Sequence, residues 1–218
     1  MVRLDLLEEA YRAHADPHRA AGMSAYMRYQ FEYFGLPTPL RRQVGKPFLV
    51  ILEAPQLAQA VRDLWLLPQR EFLYFAVELC GKSRKRWTPD LLELFHFMVV
   101  TRSWWDTVDA VAHLVGDLLL RFPGLVPEMD RWIESDDFWV QRIALLHQLG
   151  YKGKTDADRL FRYCARVAES REFFLRKAIG WALRQYACTD PEAVRRFVAD
   201  QGHRLSGLSR REALRHIG

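Results

Sequence analysis

The sequence predicts an all-α fold, and three observations carry that expectation. Apolar residues recur at i, i+3, i+4 spacing through most of the 218 residues. A capping residue followed by proline, a common helix start, occurs at Thr38-Pro39, Thr88-Pro89 and Asp190-Pro191. No run alternates with the period of a strand and ends in hairpin chemistry. Helices of roughly 10–18 residues joined by short turns suit stacked helix pairs, an α-solenoid of degenerate repeats, as readily as a bundle. One domain over residues 1–218 is expected.

In chain order, Leu4, Leu7, Ala10 and Tyr11 share a helical face that ends near Asp16-Pro17. A second helix is expected from Met23 to Phe34, closed by Gly35. Thr38 then caps a helix starting at Pro39, with Arg41 and Arg42 in its first turn. Apolar stripes mark helices at 57–66, 71–79 and 91–100, with the basic loop Lys82-Ser83-Arg84-Lys85-Arg86 between the last two. A long helix follows the tryptophan pair Trp104-Trp105 and stops at Phe122-Pro123-Gly124. Further helices are expected at 127–134, 138–149, 157–168, 173–187, 193–199 and 210–217.

Composition narrows the function. Half the residues are hydrophobic and 27% are charged, as in a globular protein. No apolar run has the length of a membrane span, and Met1-Val2-Arg3-Leu4-Asp5 has no signal-peptide character. Cys80, Cys164 and Cys188 are far apart and odd in number, which points to a reducing cytoplasm. Net charge is +5, but its distribution is uneven. Residues 1–140 carry 16 Lys and Arg against 19 Asp and Glu, whereas residues 141–218 carry 16 against 8. A basic C-terminal portion suits a polyanion lying against one side. No Gly-rich phosphate loop, zinc spacing, nucleophile elbow or dinucleotide fingerprint is present, which removes most nucleotide-dependent enzymes. His14 and His18 are four apart, but Pro17 breaks the helix that a metal pair would need.

Three stretches combine indoles with charge. In Ser103-Trp104-Trp105-Asp106-Thr107-Val108-Asp109, Ser103 reads as an N-cap with Asp106 at the third helical position. Trp105 and Asp109 are then i and i+4 on one face; the bland account is a core Trp pair beside two solvated acids. Arg142 breaks the apolar run Phe138–Leu146 and either snorkels outward or faces a bound anion. Lys177, Trp181 and Arg184 alternate cation, indole and cation along one helical face, a nucleic-acid-binding composition unless Trp181 is simply core.

Together with Val140-Gln141-Arg142, Leu149-Gly150-Tyr151-Lys152 and Phe173–Arg184, the Ser103–Asp109 stretch resembles the DNA alkylation repair family. Its best understood members are the AlkD-type alkylpurine DNA glycosylases. The resemblance extends to Ala25-Tyr26-Met27, Gly35–Arg42 and Leu208–Ala213, so it covers nearly the whole chain in order. It implies HEAT-like repeats whose basic concave face grips double-stranded DNA, a monomer, and hydrolysis of the N-glycosidic bond of cationic N3- or N7-alkylated purines. It implies neither metal nor cofactor, and no base-extrusion pocket. Asp109 stands at the position of the catalytic aspartate, with Trp105 and Trp181 as the indoles against the deoxyribose. Arg142 matches an arginine near the DNA backbone, and Tyr26 an aromatic at the cleft rim. Thr38, Arg42, Lys152, Lys177 and Arg184 fall in the matching stretches as further DNA contacts. Gly150 departs from the pattern, which expects a basic residue there and so bears on DNA affinity.

The chemistry is consistent with these residues. A carboxylate in a basic cleft weakens phosphate binding, so its presence needs compensation, and glycosidic cleavage supplies it. As the bond breaks, the sugar becomes oxocarbenium-like, and Asp109 can stabilise that charge and orient a water. Trp105 and Trp181 offer electron-rich faces to the same cation. Alkylation already makes the base a cationic leaving group, so one acid suffices, and Asp109→Asn is expected to keep the fold while losing base release. The rival expectation is a non-catalytic HEAT-like scaffold for damaged or branched DNA; a protein-interaction solenoid fits the charge distribution less well.

Overall fold

The computed structural model describes residues 2–218. Among these residues no strand forms; a single isolated bridge joins Glu32 and Gln69. Contacts divide the chain into two compact units, Met1–Leu94 and Phe95–Gly218.

The first unit contains α1 (Leu4–Ala13), α2 (Pro17–Tyr26), α3 (Thr38–Gly45), α4 (Ala54–Leu66) and α5 (Arg70–Lys82), and α6 (Leu91–Val100) runs across the boundary. α4 turns Leu57, Val61, Leu64 and Trp65 toward α5, which answers with Phe72, Phe75, Ala76 and Leu79; all are buried. Each Val, Leu or Phe among them contributes roughly 1.5–3 kcal/mol when buried. Tyr11 of α1 joins this core through Phe34 and Phe72, with ring centroids 6.1 and 5.8 Å away.

α5 also buries two charged residues. Glu71 accepts hydrogen bonds from the backbone N–H groups of Phe34, Gly35 and Leu36 at 3.1, 2.9 and 3.2 Å. Burial nevertheless outweighs these bonds and pushes its carboxyl above the usual carboxylate range. The Arg70 guanidinium lies 3.7 Å from the centroid of the Phe31 ring. Two turns along α5, Glu78 holds Arg41 through both carboxylate oxygens, at 3.1 and 2.9 Å, and Arg42 at 2.7 Å.

Here the expected second helix is displaced. Residues 17–26 are helical, and 27–37 are not, although 23–34 is the stretch whose apolar spacing predicts a helix. Asp16 accepts from the Arg19 N–H at 3.0 Å and Pro17 takes the first helical position. The dipeptide therefore opens α2 as well as ending α1. Gly35 does not close a helix: at φ +89 its missing side chain lets the chain cross Asp16, whose carbonyl oxygen would sit 2.2 Å from a Cβ. Thr38 is the first residue of α3, and Pro37 rather than Thr38 occupies the capping position.

The second unit contains α7 (Trp105–Arg121), α8 (Pro127–Trp132), α9 (Phe138–Leu146), α10 (Ala157–Arg166), α11 (Phe173–Ala187), α12 (Pro191–Gln201) and α13 (Gly207–Leu214). It is a two-layer repeat array. α7, α9, α11 and α13 pack side by side in chain order, and α10 and α12 lie behind the helices that flank them. Starts are set by side-chain caps: Asp137, Asp156, Asp190 and Ser206 each accept a backbone N–H in the first turn, worth about 1 kcal/mol apiece. Polar links across the array recur at separations of 32 to 35 residues. They run from Asp130 to Arg162, from Glu134 to Arg166, from Asp109 to Arg142, and from Glu169 to Arg204. The repeats are degenerate in sequence but keep their length. Among the described residues no single helix is long and apolar enough to cross a membrane.

Candidate active site

The four helices of the front layer each bring a polar residue to one cleft of about 390 Å³. α7 contributes Trp105 and Asp109, α9 Arg142, α11 Phe173, Phe174, Lys177, Trp181 and Arg184, and α13 Glu212.

The opening of α7 separates the two adjacent tryptophans. Trp104 is the capping residue, extended at φ −159, and Trp105 is the first helical residue. Trp104 packs into an aromatic cluster with Trp139 and Phe174, at centroid distances of 6.0 and 5.5 Å. Trp105 lines the cleft, and one turn on Asp109 shares its face. The expected cap is corrected: the Ser103 hydroxyl donates to the Val99 carbonyl at the end of α6 and makes no capping bond to α7. A serine between two helices can close one or open the other, and here the nearer orphan group is a C-terminal carbonyl.

Arg142 is buried, with 4% of its surface exposed. It neither snorkels nor awaits an external anion. Its Nε and Nη2 donate to the two Asp109 oxygens at 2.7 and 2.9 Å, and its Nη1 donates to the Phe174 carbonyl. This fork-to-fork pair spans α7 and α9, and its third bond reaches α11. Asp109 keeps 18% of its side chain exposed, so each oxygen has a lone pair left to face the cleft.

Opposite, Lys177, Trp181 and Arg184 form the expected stripe along α11, and Phe173 extends it by one turn. Glu212 closes over this stripe from α13. It accepts from Lys177 at 3.1 Å and forms a second, very short ion pair with Arg184. The Lys177 ammonium, followed by the Arg184 guanidinium, holds the Glu212 carboxyl below the usual carboxylate range. The approach of α13 depends on Gly180, where a Cβ would lie 2.5 Å from the Glu212 Cβ and 3.1 Å from the Ser209 carbonyl oxygen. The Ser209 hydroxyl fastens the same crossing by donating to the Arg176 carbonyl at 2.9 Å.

Six of the ten sequence-derived site residues thus meet in one cleft: Trp105, Asp109, Arg142, Lys177, Trp181 and Arg184. Lys152 lies outside it, exposed on the turn Lys152–Lys154, in the left-handed region at φ 54. Tyr26, Thr38 and Arg42 belong to the first unit: Tyr26 ends α2 with 72% of its surface exposed, and exposed Thr38 and Arg42 lie one turn apart on α3. Gly150 is exposed, and a side chain there would meet nothing within 4 Å. Sequence reasoning missed Phe173, Phe174 and Glu212. Phe173 was recoverable, four residues before Lys177 on the same face, whereas nothing local marks Glu212. Among the described residues no three His, Cys, Asp or Glu side chains gather as a metal site requires.

The description "DNA alkylation repair enzyme" belongs to a family profile that matches residues 7–217. A solved structure described as a predicted DNA alkylation repair enzyme, from Enterococcus faecalis, is 31% identical. It matches over 94% of this chain and 97% of its own, with a TM-score of 0.87. The crystal structure of smu.31 from Streptococcus mutans UA159 shares the fold at 16% identity, over 82% of this chain and 92% of its own, with a TM-score of 0.64. No curated protein matches the sequence.

Proposed function

The chain belongs to the DNA alkylation repair enzyme family, and on that premise we propose that it is a DNA glycosylase for cationic N3- and N7-alkylated purines in duplex DNA. The observation that carries this reading is Asp109, a carboxylate facing a cleft shared by two indoles, Trp105 and Trp181. Cleavage of the N-glycosidic bond sends its electron pair to the alkylated base, which leaves neutral. The positive charge then passes to the sugar, spread between C1′ and the ring oxygen. Asp109 sits where a negative charge lowers the energy of that state, and Trp105 and Trp181 add their electron-rich faces. A water held by a free Asp109 lone pair adds at C1′ and loses its proton, giving the abasic sugar.

Arg142 has a defined part in this scheme. Its two bonds fix both oxygens of Asp109, so the carboxylate does not reorient as charge develops. The partner is duplex DNA, met by Lys177 and Arg184 in the cleft, by Lys152 on its turn, and by Tyr26, Thr38 and Arg42 of the first unit.

The test is release of free 7-methylguanine from a methylated duplex, comparing wild type with Asp109→Asn, with duplex binding measured at matched salt. Release by the wild type alone, with both proteins binding, supports the reading. Binding without release by either protein replaces it with a non-catalytic DNA-binding scaffold.

A further inference from the structure

We propose that Lys177, Arg184 and Glu212 form a phosphate-exchange site, in which the Glu212 carboxylate occupies two DNA-binding cations until a backbone phosphate displaces it. The inference rests on DNA as the partner of this cleft, and it deepens that reading by naming a built-in competitor.

The geometry has three parts. Lys177 and Arg184 flank Trp181 on the face of α11 that lines the cleft, at positions where a phosphate backbone would run past the deoxyribose that Trp181 faces. Glu212 takes one cation on each oxygen, and only 16% of its side chain is exposed, so the pairing is screened less than a surface contact. Its backbone is brought there by the Gly180 crossing and the Ser209 bond, which make the carboxylate part of the cleft wall.

A carboxylate and a phosphate oxygen present the same chemistry to these donors: an anion accepting charge-assisted hydrogen bonds. A cation released from Glu212 would gain a phosphate and expel a counterion from the duplex. A cation that stayed on Glu212 would contribute nothing to the salt dependence of binding. The first unit repeats the device, since Arg42, assigned to DNA by the same reading, sits on Glu78 at 2.7 Å. The carboxylate therefore sets a cost on every duplex, damaged or not, and keeps the cleft from holding undamaged DNA tightly.

The experiment measures binding of the full chain to an undamaged duplex from about 50 to 200 mM salt, for wild type, Glu212→Gln, and Glu212→Gln combined with Lys177→Ala. Glu212→Gln is expected to bind at least tenfold more tightly with the log–log salt slope of wild type, since both proteins place the two cations on phosphates. A slope steeper by about one to two, at roughly 0.9 per phosphate contact, would show the cations held on Glu212 in the wild-type complex and overturn the exchange. Adding Lys177→Ala should reverse about half of the gain in affinity and lower the slope by about 0.9. A Glu212→Gln protein that binds no more tightly, with the wild-type slope, overturns the proposal and leaves Glu212 a structural tie between α11 and α13. Should circular dichroism show that Glu212→Gln does not fold, Glu212→Asp decides: too short to span both cations, it supports the proposal by binding more tightly than wild type at the wild-type slope and overturns it by binding no more tightly. Because no base release enters the readout, tighter binding at an unchanged slope stands even if the wild type frees no 7-methylguanine. If neither protein binds DNA, the proposal falls.

Discussion

Replacing Asp109 by Asn does more than remove a charge from the reaction. The Arg142 side chain is 5% exposed and spends two of its N–H groups on Asp109, at 2.7 and 2.9 Å. An amide can accept only one of these, and its NH₂ group then faces the other donor. Breaking a buried ion pair from one side costs about 3–5 kcal/mol, because the remaining charge is stranded. The retained hydrogen bond to a charged donor returns about 1.5–3 kcal/mol of that, which leaves a loss of roughly 2 kcal/mol. For a chain of this size each kcal/mol lowers Tm by about 2–4 °C, so the variant should melt about 4–8 °C below wild type. The variant is still expected to keep the fold, at reduced stability. Base release should fall by about 10²–10³, the usual contribution of one well-placed group.

The double variant Asp109→Asn/Arg142→Met separates the two effects. It removes the stranded charge and should recover part of the lost Tm, the remainder being held back by the polar Asn side chain and by the Phe174 carbonyl, which loses its Arg142 donor. It should recover no base release. Thermal melts followed by circular dichroism, with single-turnover release of 7-methylguanine, read both quantities. Full release by the double variant would remove Asp109 from the chemistry, and an unchanged Tm in Asp109→Asn would show that the pair does not support the fold.

Three further outcomes follow from the structure. His147 is buried, donates through Nδ1 to the Ala144 carbonyl at 2.7 Å, and is held by burial at a pKa of about 4 in place of 6.5. The unfolded chain therefore binds the extra proton first. Stability should fall as pH drops from 6.5 toward 4, by about 1.4 kcal/mol per unit, in urea titrations of wild type, and His147→Gln should flatten that slope. Gly180→Ala forces a Cβ to within 2.5 Å of the Glu212 Cβ, so α13 must back away; a loss of about 1–3 kcal/mol and a shifted Trp181 emission are expected, and an unchanged spectrum would refute the tight crossing. Glu71→Ala orphans three buried N–H groups and should cost about 3–5 kcal/mol of unfolding free energy in denaturant titrations, whereas Glu71→Gln, which keeps an acceptor, should cost markedly less.

How much of this was legible in the sequence depends on the range of the interaction. Asp190-Pro191 and the apolar spacing of 173–187 mark α12 and α11 because caps and periodicity act within a few residues. Asp16-Pro17 misled because an ending and a beginning share the same residues, and Gly35 because a glycine at positive φ serves a loop as well as a helix end. At the site, the faces Trp105–Asp109 and Lys177–Trp181–Arg184 followed from helical geometry alone. Their partners did not. Asp109 finds Arg142 across 33 residues and Lys177 finds Glu212 across 35, distances at which only the packing of successive repeats decides who meets whom.

Two carboxylates on α5 also set the position of α3. Glu71 grips the loop that leads into α3, and seven residues later Glu78 grips Arg41 and Arg42 within it. α3 is thus hung from a single beam at both its approach and its body. The orientation of Thr38 and Arg42 is inherited from a helix that presents neither. Substitutions on the exposed face of α3 are free to retune what that face touches without moving it, while a change at Glu71, well away from any surface, would tilt the whole face at once.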